Sequence, residues 1–170
     1  MADLAERYLG TESLDPEYYA ADLALLDRYQ AVSGEVVRIA LVGVAVLGFF
    51  LDKLTLKAPS IATFEGALIR YSLGGGVFLL AVAAAAGLAH RYYSSDGVYY
   101  HLRAIRRFVR EGKRSDKDVQ EDGQRSGSKY KTSHAWMRVA VALLALGGML
   151  VALAFLVLVA TIKDLPPAQA

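Results

Sequence analysis

Hydrophobic and polar positions along this chain separate into long blocks. Val139–Ile162 contains no charged residue, and as a helix it would run about 36 Å, enough to cross a hydrocarbon layer of about 30 Å. A helix apolar on every face needs either lipid or a large protein core around it, and 170 residues leave no room for such a core. A second uncharged run, Tyr71–Ala89, is also of spanning length and is followed by His90, Arg91, Tyr92 and Tyr93, an interfacial aromatic pattern that Trp136 repeats ahead of the third run. The first run, Ile39–Leu51, is shorter, about 20 Å between Arg38 and Asp52. It fits a re-entrant segment, a buried helix, or a span lengthened by the snorkelling ends Arg38, Asp52 and Lys53; residues 36–56 are taken as the span.

The polar blocks carry helical periodicity of their own. Asp15, Pro16 and Glu17 have the order of an N-cap, a first helical residue and a first-turn acid. Tyr18, Leu25, Tyr29, Val32 and Val36 follow as a heptad-like stripe that runs into the first apolar run, predicting one long helix. Ser94-Ser95-Asp96-Gly97 reads as a turn or cap. Beyond it, Val98, Leu102, Ile105 and Val109 form an apolar stripe bordered by Arg103, Arg106, Arg107 and Arg110. Two arrangements suit this basic helix. It can lie on anionic lipid, or it can pack on the stripe around Leu25 and Tyr29 with its arginines toward Asp22, Asp27 and Glu35. From Glu111 to Ser133 the chain is mostly Lys, Asp, Gly, Ser and Gln, which predicts a flexible linker over 113–134.

Charge orients the runs. Residues 91–138 hold 12 Lys and Arg against 6 acids, whereas residues 1–38 hold 3 against 8. Cytoplasmic loops carry the Lys/Arg excess, so the basic insert is expected inside. With three crossings the N-terminus then lies in the cytoplasm and the C-terminus outside an inner membrane. The expected segments are an acidic helix over 1–35, spans over 36–56, 67–91 and 136–162, an external loop over 57–66, the basic helix over 92–112, and an external tail over 163–170. The start of the chain is polar and acidic, which predicts no cleaved targeting segment.

Candidate chemistry is sparse. There is no cysteine, which excludes disulfides, thiolate metal sites and a cysteine nucleophile, and no asparagine, hence no glycosylation sequon. His90, His101 and His134 lack metal-ligand spacing and lie beside basic residues. Gly123-Gln124-Arg125-Ser126-Gly127 does not match a nucleophile elbow, and Gly127-Ser128-Lys129 lacks the phosphate-loop order. No acid interrupts the runs, which argues against a coupled transporter. No enzyme, cofactor, metal or nucleic-acid partner is expected. The runs instead carry small residues, Gly74, Gly75, Gly76, Ala83 and Gly87 in the second and Ala145, Gly148 and Ala152 in the third, as candidate faces for helix packing or oligomerisation.

The layout of Leu23–Leu51, with Asp27-Arg28-Tyr29-Gln30 ahead of the span, and of Arg70–Val109 resembles the SLATT family of small membrane proteins. The third run departs from the two-span pattern of that family. The resemblance implies an effector of a bacterial conflict system, switched by a sensor or synthase, that oligomerises and permeabilises the inner membrane. The expected fold is an all-α membrane protein with three transmembrane helices, a cytoplasmic helical hairpin-like extension and a flexible basic loop. The expected function is that of a non-enzymatic homo-oligomer in the bilayer, pore-forming and controlled through its cytoplasmic helices, the alternative being an accessory or scaffolding subunit of a larger complex.

Overall fold

The computed structural model describes residues 16–57, 63–111 and 117–163. All but Thr63 of these lie in three helices: α1 (Pro16–Lys57, 42 residues), α2 (Phe64–Glu111, 48 residues) and α3 (Lys117–Lys163, 47 residues). Each contains a stretch long and apolar enough to cross a membrane. At about 1.5 Å per residue they run roughly 63–72 Å, about twice the hydrocarbon thickness, so each extends past a single bilayer core. Asp15, residues 58–62, residues 113–116 and the tail 164–170 lie outside the described residues. At the start of α2, Thr63 supplies the cap: its hydroxyl accepts the Gly66 N–H at 3.2 Å, its carbonyl accepts that of Ala67 at 3.0 Å, and Glu65 adds a first-turn acid.

Two expectations change. Residues 117–134, read as linker, form the first part of α3, and Ser94-Ser95-Asp96-Gly97, read as a turn, lies inside α2. Tertiary contact overrides local propensity in both places. Ser94 and Gly97 are buried, and the Ser126 hydroxyl donates to the Gly97 carbonyl at 3.0 Å.

The buried positions recur with a seven-residue period. Along α2 the series is Ile69, Leu73, Gly76, Leu80, Ala83, Gly87, His90, Ser94, Gly97 and Ala104, with Gly66, Ser72, Ala84 and Ala86 buried outside it; along α3 it is Ser126, Ser133, Ala140, Gly147 and Ala154, with Asp122 and Leu158 buried four residues from its ends. This is the spacing of helices packed side by side, and it is filled mainly with small residues that let backbones approach.

Contacts divide the described residues into two units. The apolar unit contains Glu35–Gly87 and the described residues from Arg138 onward. In it Ile69 and Leu73 pack with Ala154 and Leu158, with Leu47 and Val157 against them; Ala40, Ala83 and Ala84 pack with Leu143 and Leu144. Gly76 and Gly147 meet most closely. A Cβ at Gly76 would fall 2.7 Å from Val151 Cγ2 and 3.1 Å from the Gly147 carbonyl oxygen, and one at Gly147 would fall 3.1 Å from the Gly76 carbonyl oxygen. The exterior of this unit is apolar, with Phe49, Phe78, Met149 and Leu156 at least 66% exposed, a surface suited to lipid. The polar unit contains the described residues up to Gly34 together with Leu88–Met137.

Glycine substitutions in α2 separate the inward face from the outward one. Gly74 has nothing within 4 Å of its Cβ position, so Gly74→Ala is expected to stabilise the protomer by up to ~1 kcal/mol through helix propensity. Gly76→Ala meets a backbone oxygen and is expected to destabilise by about 1–3 kcal/mol. Titration of the purified protein from mild detergent into SDS, followed by helical circular dichroism, measures both.

Candidate functional site

In the polar unit the seven-residue seam turns from apolar to hydrogen-bonding. His90 of α2 is 2% exposed and lies against Ser133 of α3, also 2% exposed. The His90 Nδ1 is 2.9 Å from the Ser133 carbonyl oxygen and 2.8 Å from its hydroxyl. A carbonyl only accepts, so the ring proton sits on Nδ1 and is shared between the two oxygens; the Ser133 hydroxyl then donates to the His90 carbonyl at 3.3 Å. That tautomer leaves Nε2 with a bare lone pair in the neutral ring. Nε2 is buried and has no hydrogen-bond partner among the described residues. A buried acceptor left in this state costs roughly 1–3 kcal/mol.

The three histidines, distant in sequence, line one cleft of about 330 Å³. Tyr29 and Tyr130 flank it, with Leu26, Ser94 and Ser133 completing the wall. Tyr29 meets His134 edge-on at 5.7 Å and 87°. Among the described residues no Asp, Glu, Lys or Arg lines the cleft. No group of three or more metal-ligating side chains occurs among the described residues.

Charge collects elsewhere in the unit, in pairs. Asp122 of α3, whose side chain is 4% exposed, meets Arg103 at 3.2 Å and Arg107 at 3.1 Å, and Arg107 also reaches Asp118 at 3.4 Å. Lys129 pairs with Asp96 at 2.6 Å and lies over the Tyr93 ring. Gln30 of α1 donates to the Ser95 hydroxyl at 3.2 Å and accepts from Arg91 at 3.4 Å. Arg103 and Arg107 therefore pair with acids of α3, and Glu35 pairs within its own helix with Arg38, while the Asp22 side chain lies outside the described residues. The acids that take the arginines lie on the segment read as linker.

The remaining candidates distribute as follows. Arg106 is half-buried with its Nε unpartnered, Leu102 and Ile105 are half-buried, and Tyr29 and Val32 are exposed. The side chains of Tyr18, Leu25 and Arg110 lie outside the described residues. Of the small-residue candidates, Gly76, Ala83 and Gly87 are buried, Gly75 is half-buried, and Gly74 is exposed. Ala145, Gly148 and Ala152 lie on the outer face, while Ala140, Gly147 and Ala154 turn inward. Sequence reasoning missed both the histidine cleft and the Asp122 cluster. The seven-residue recurrence of Ser126, Ser133, Ala140, Gly147 and Ala154 is the signal that leads to them.

The described residues thus form three helices with three candidate membrane crossings and a polar helical unit. No known protein family, curated protein or solved structure matches the chain.

Asp122→Asn is expected to destabilise the protein by about 2–3 kcal/mol, below the ~3–5 kcal/mol of a fully buried pair because both arginines reach solvent. Combining Asp122→Leu with Arg103→Met and Arg107→Met is expected to restore most of that loss, since no buried charge is then left unpaired and Asp118, which loses Arg107, is solvent-exposed. Detergent-to-SDS unfolding of the single and triple variants measures both effects.

Proposed function

We propose that the protein is a non-enzymatic, oligomeric, multi-pass inner-membrane protein that permeabilises the membrane, with its polar unit controlling assembly. The observation carrying this reading is the outer face of the apolar unit. Gly48, Gly74 and Gly148 have nothing within 4 Å of their Cβ positions, and Ala145 and Ala152 are exposed beside Gly148 on α3. An outward glycine in a helix costs about 1 kcal/mol relative to alanine, and lipid does not offset that loss; close approach of another helix does. Three helices enclose no useful aqueous path, so a pore requires several copies. The likeness to SLATT proteins supports the same output, and the distribution of Lys and Arg supports a cytoplasmic N-terminus and basic segment with an external C-terminus.

Induction of the wild-type chain in bacteria is expected to depolarise the inner membrane and admit an otherwise excluded dye. Gly148→Leu is expected to insert normally, to elute as a smaller oligomer from a detergent column, and to lose dye entry. Intact membranes at high wild-type expression, or unchanged oligomer size in Gly148→Leu, would contradict this function.

A further inference from the structure

We propose that residues 117–133 of α3 act as a polar latch, a helical segment that undocks from α2 and unwinds as a unit while α2 and the rest of α3 stay folded. Composition gives this segment little helical stability of its own. Gly123, Ser126, Gly127, Ser128, Thr132 and Ser133 are weak helix formers, and helices of this length draw most of their stability from an apolar face packed on a neighbour. The latch has no such face. Its buried residues are Asp122, Ser126 and Ser133, and Val119 and Tyr130 are half-buried. What holds it to α2 is mostly polar: Asp118 and Asp122 take Arg107 and Arg103, the Ser126 hydroxyl donates to the Gly97 carbonyl, Lys129 pairs with Asp96, and Ser133 meets His90. The Tyr130 ring adds apolar contact over Gly97. On undocking, these polar groups regain water, which an apolar seam cannot do, so opening costs little for the length of helix released. The glycines act in the same direction. Gly123 and Gly127 are exposed on a polar face beside Gln124, Arg125 and Ser128, with nothing within 4 Å of their Cβ positions, so they serve no close approach within the polar unit and only weaken the helix. The facing stretch of α2 is anchored separately, since Gln30 of α1 bonds Ser95 and Arg91. Undocking frees Arg103 and Arg107 from Asp122, so the latch sets how much unpaired positive charge the polar unit presents. Its contacts lie within the polar unit, and it stands whatever the apolar unit does.

Amide hydrogen exchange of the full-length protein in lipid nanodiscs, resolved by segment, tests the latch. Amides of residues 122–133 are expected to share one level of protection, at least about tenfold below that of residues 94–104 in the facing stretch of α2. Asp122→Asn is expected to speed exchange in the latch by about 30-fold or more, with α2 still the better protected of the two. Gly123→Ala combined with Gly127→Ala, which keeps every latch contact and raises helix propensity, is expected to slow latch exchange by about tenfold. Equal protection of the two facing segments would overturn the proposal, because the polar unit would then open as one body. Latch exchange left unchanged by Asp122→Asn or by the alanine pair would overturn it as well. The wild-type comparison and the alanine pair decide the matter even where Asp122→Asn fails to fold.

Discussion

The close approach of Gly76 of α2 and Gly147 of α3 is the constraint on which the packing of the apolar unit depends. Each glycine lies where a Cβ would press on the other's carbonyl oxygen at 3.1 Å. In lipid, apolar side chains gain little by leaving one apolar surround for another, so helices associate through dispersion contact, which requires close approach. Seven residues along α3 in either direction, Ala140 and Ala154 are again small and buried. The seam is thus built from residues chosen for what they lack. Larger groups such as Leu80, Leu143 and Leu158 pack alongside it, and the bulkiest side chains, Phe49, Phe78 and Phe155, turn outward.

The same period persists where the residues become polar. His90, Ser94 and Gly97 continue the buried series of α2, and Ser133 and Ser126 that of α3. In the polar unit, close approach therefore yields hydrogen bonds: His90 to Ser133, and Ser126 to the Gly97 carbonyl. These bonds are specific in register, because a slip of one residue would leave several buried polar groups without partners. Asp122 extends the effect with charge, holding Arg103 and Arg107 from a position nearly closed to solvent. One repeat thus provides dispersion contact in one unit and polar registration in the other.

Much of this was legible in the chain, and the failures have physical causes. The uncharged runs and the long first helix follow from composition and period alone. Residues 117–134 read as linker because Gly123, Ser126, Gly127 and Ser128 are poor helix formers, and because the seam there carries Asp122, Ser126 and Ser133 where an apolar stripe would be sought. Size alone does not tell the two small-residue stripes of α3 apart: Ala145, Gly148 and Ala152 are as small as Ala140, Gly147 and Ala154, and only the partner helix shows which set faces inward. The three histidines lacked any local spacing to connect them, since the cleft is assembled by antiparallel pairing of distant segments. Of the four arginines, Arg103 and Arg107 pair with acids on the segment whose helicity composition hides.

The central claim is that a seven-residue seam of small side chains positions α3, and a leucine scan tests it most directly. Leucine placed at each non-leucine position from 140 to 154 keeps lipid solubility nearly constant and gains helix propensity of up to ~1 kcal/mol only at Gly147 and Gly148, so a loss of stability in SDS unfolding reports the face. The account predicts the largest losses of protomer stability at positions 140, 147 and 154, whereas leucine at 145, 148 and 152 leaves the packing of the protomer in place and lowers oligomer size instead. Losses centred on 145, 148 and 152, or without a seven-residue period, would contradict it.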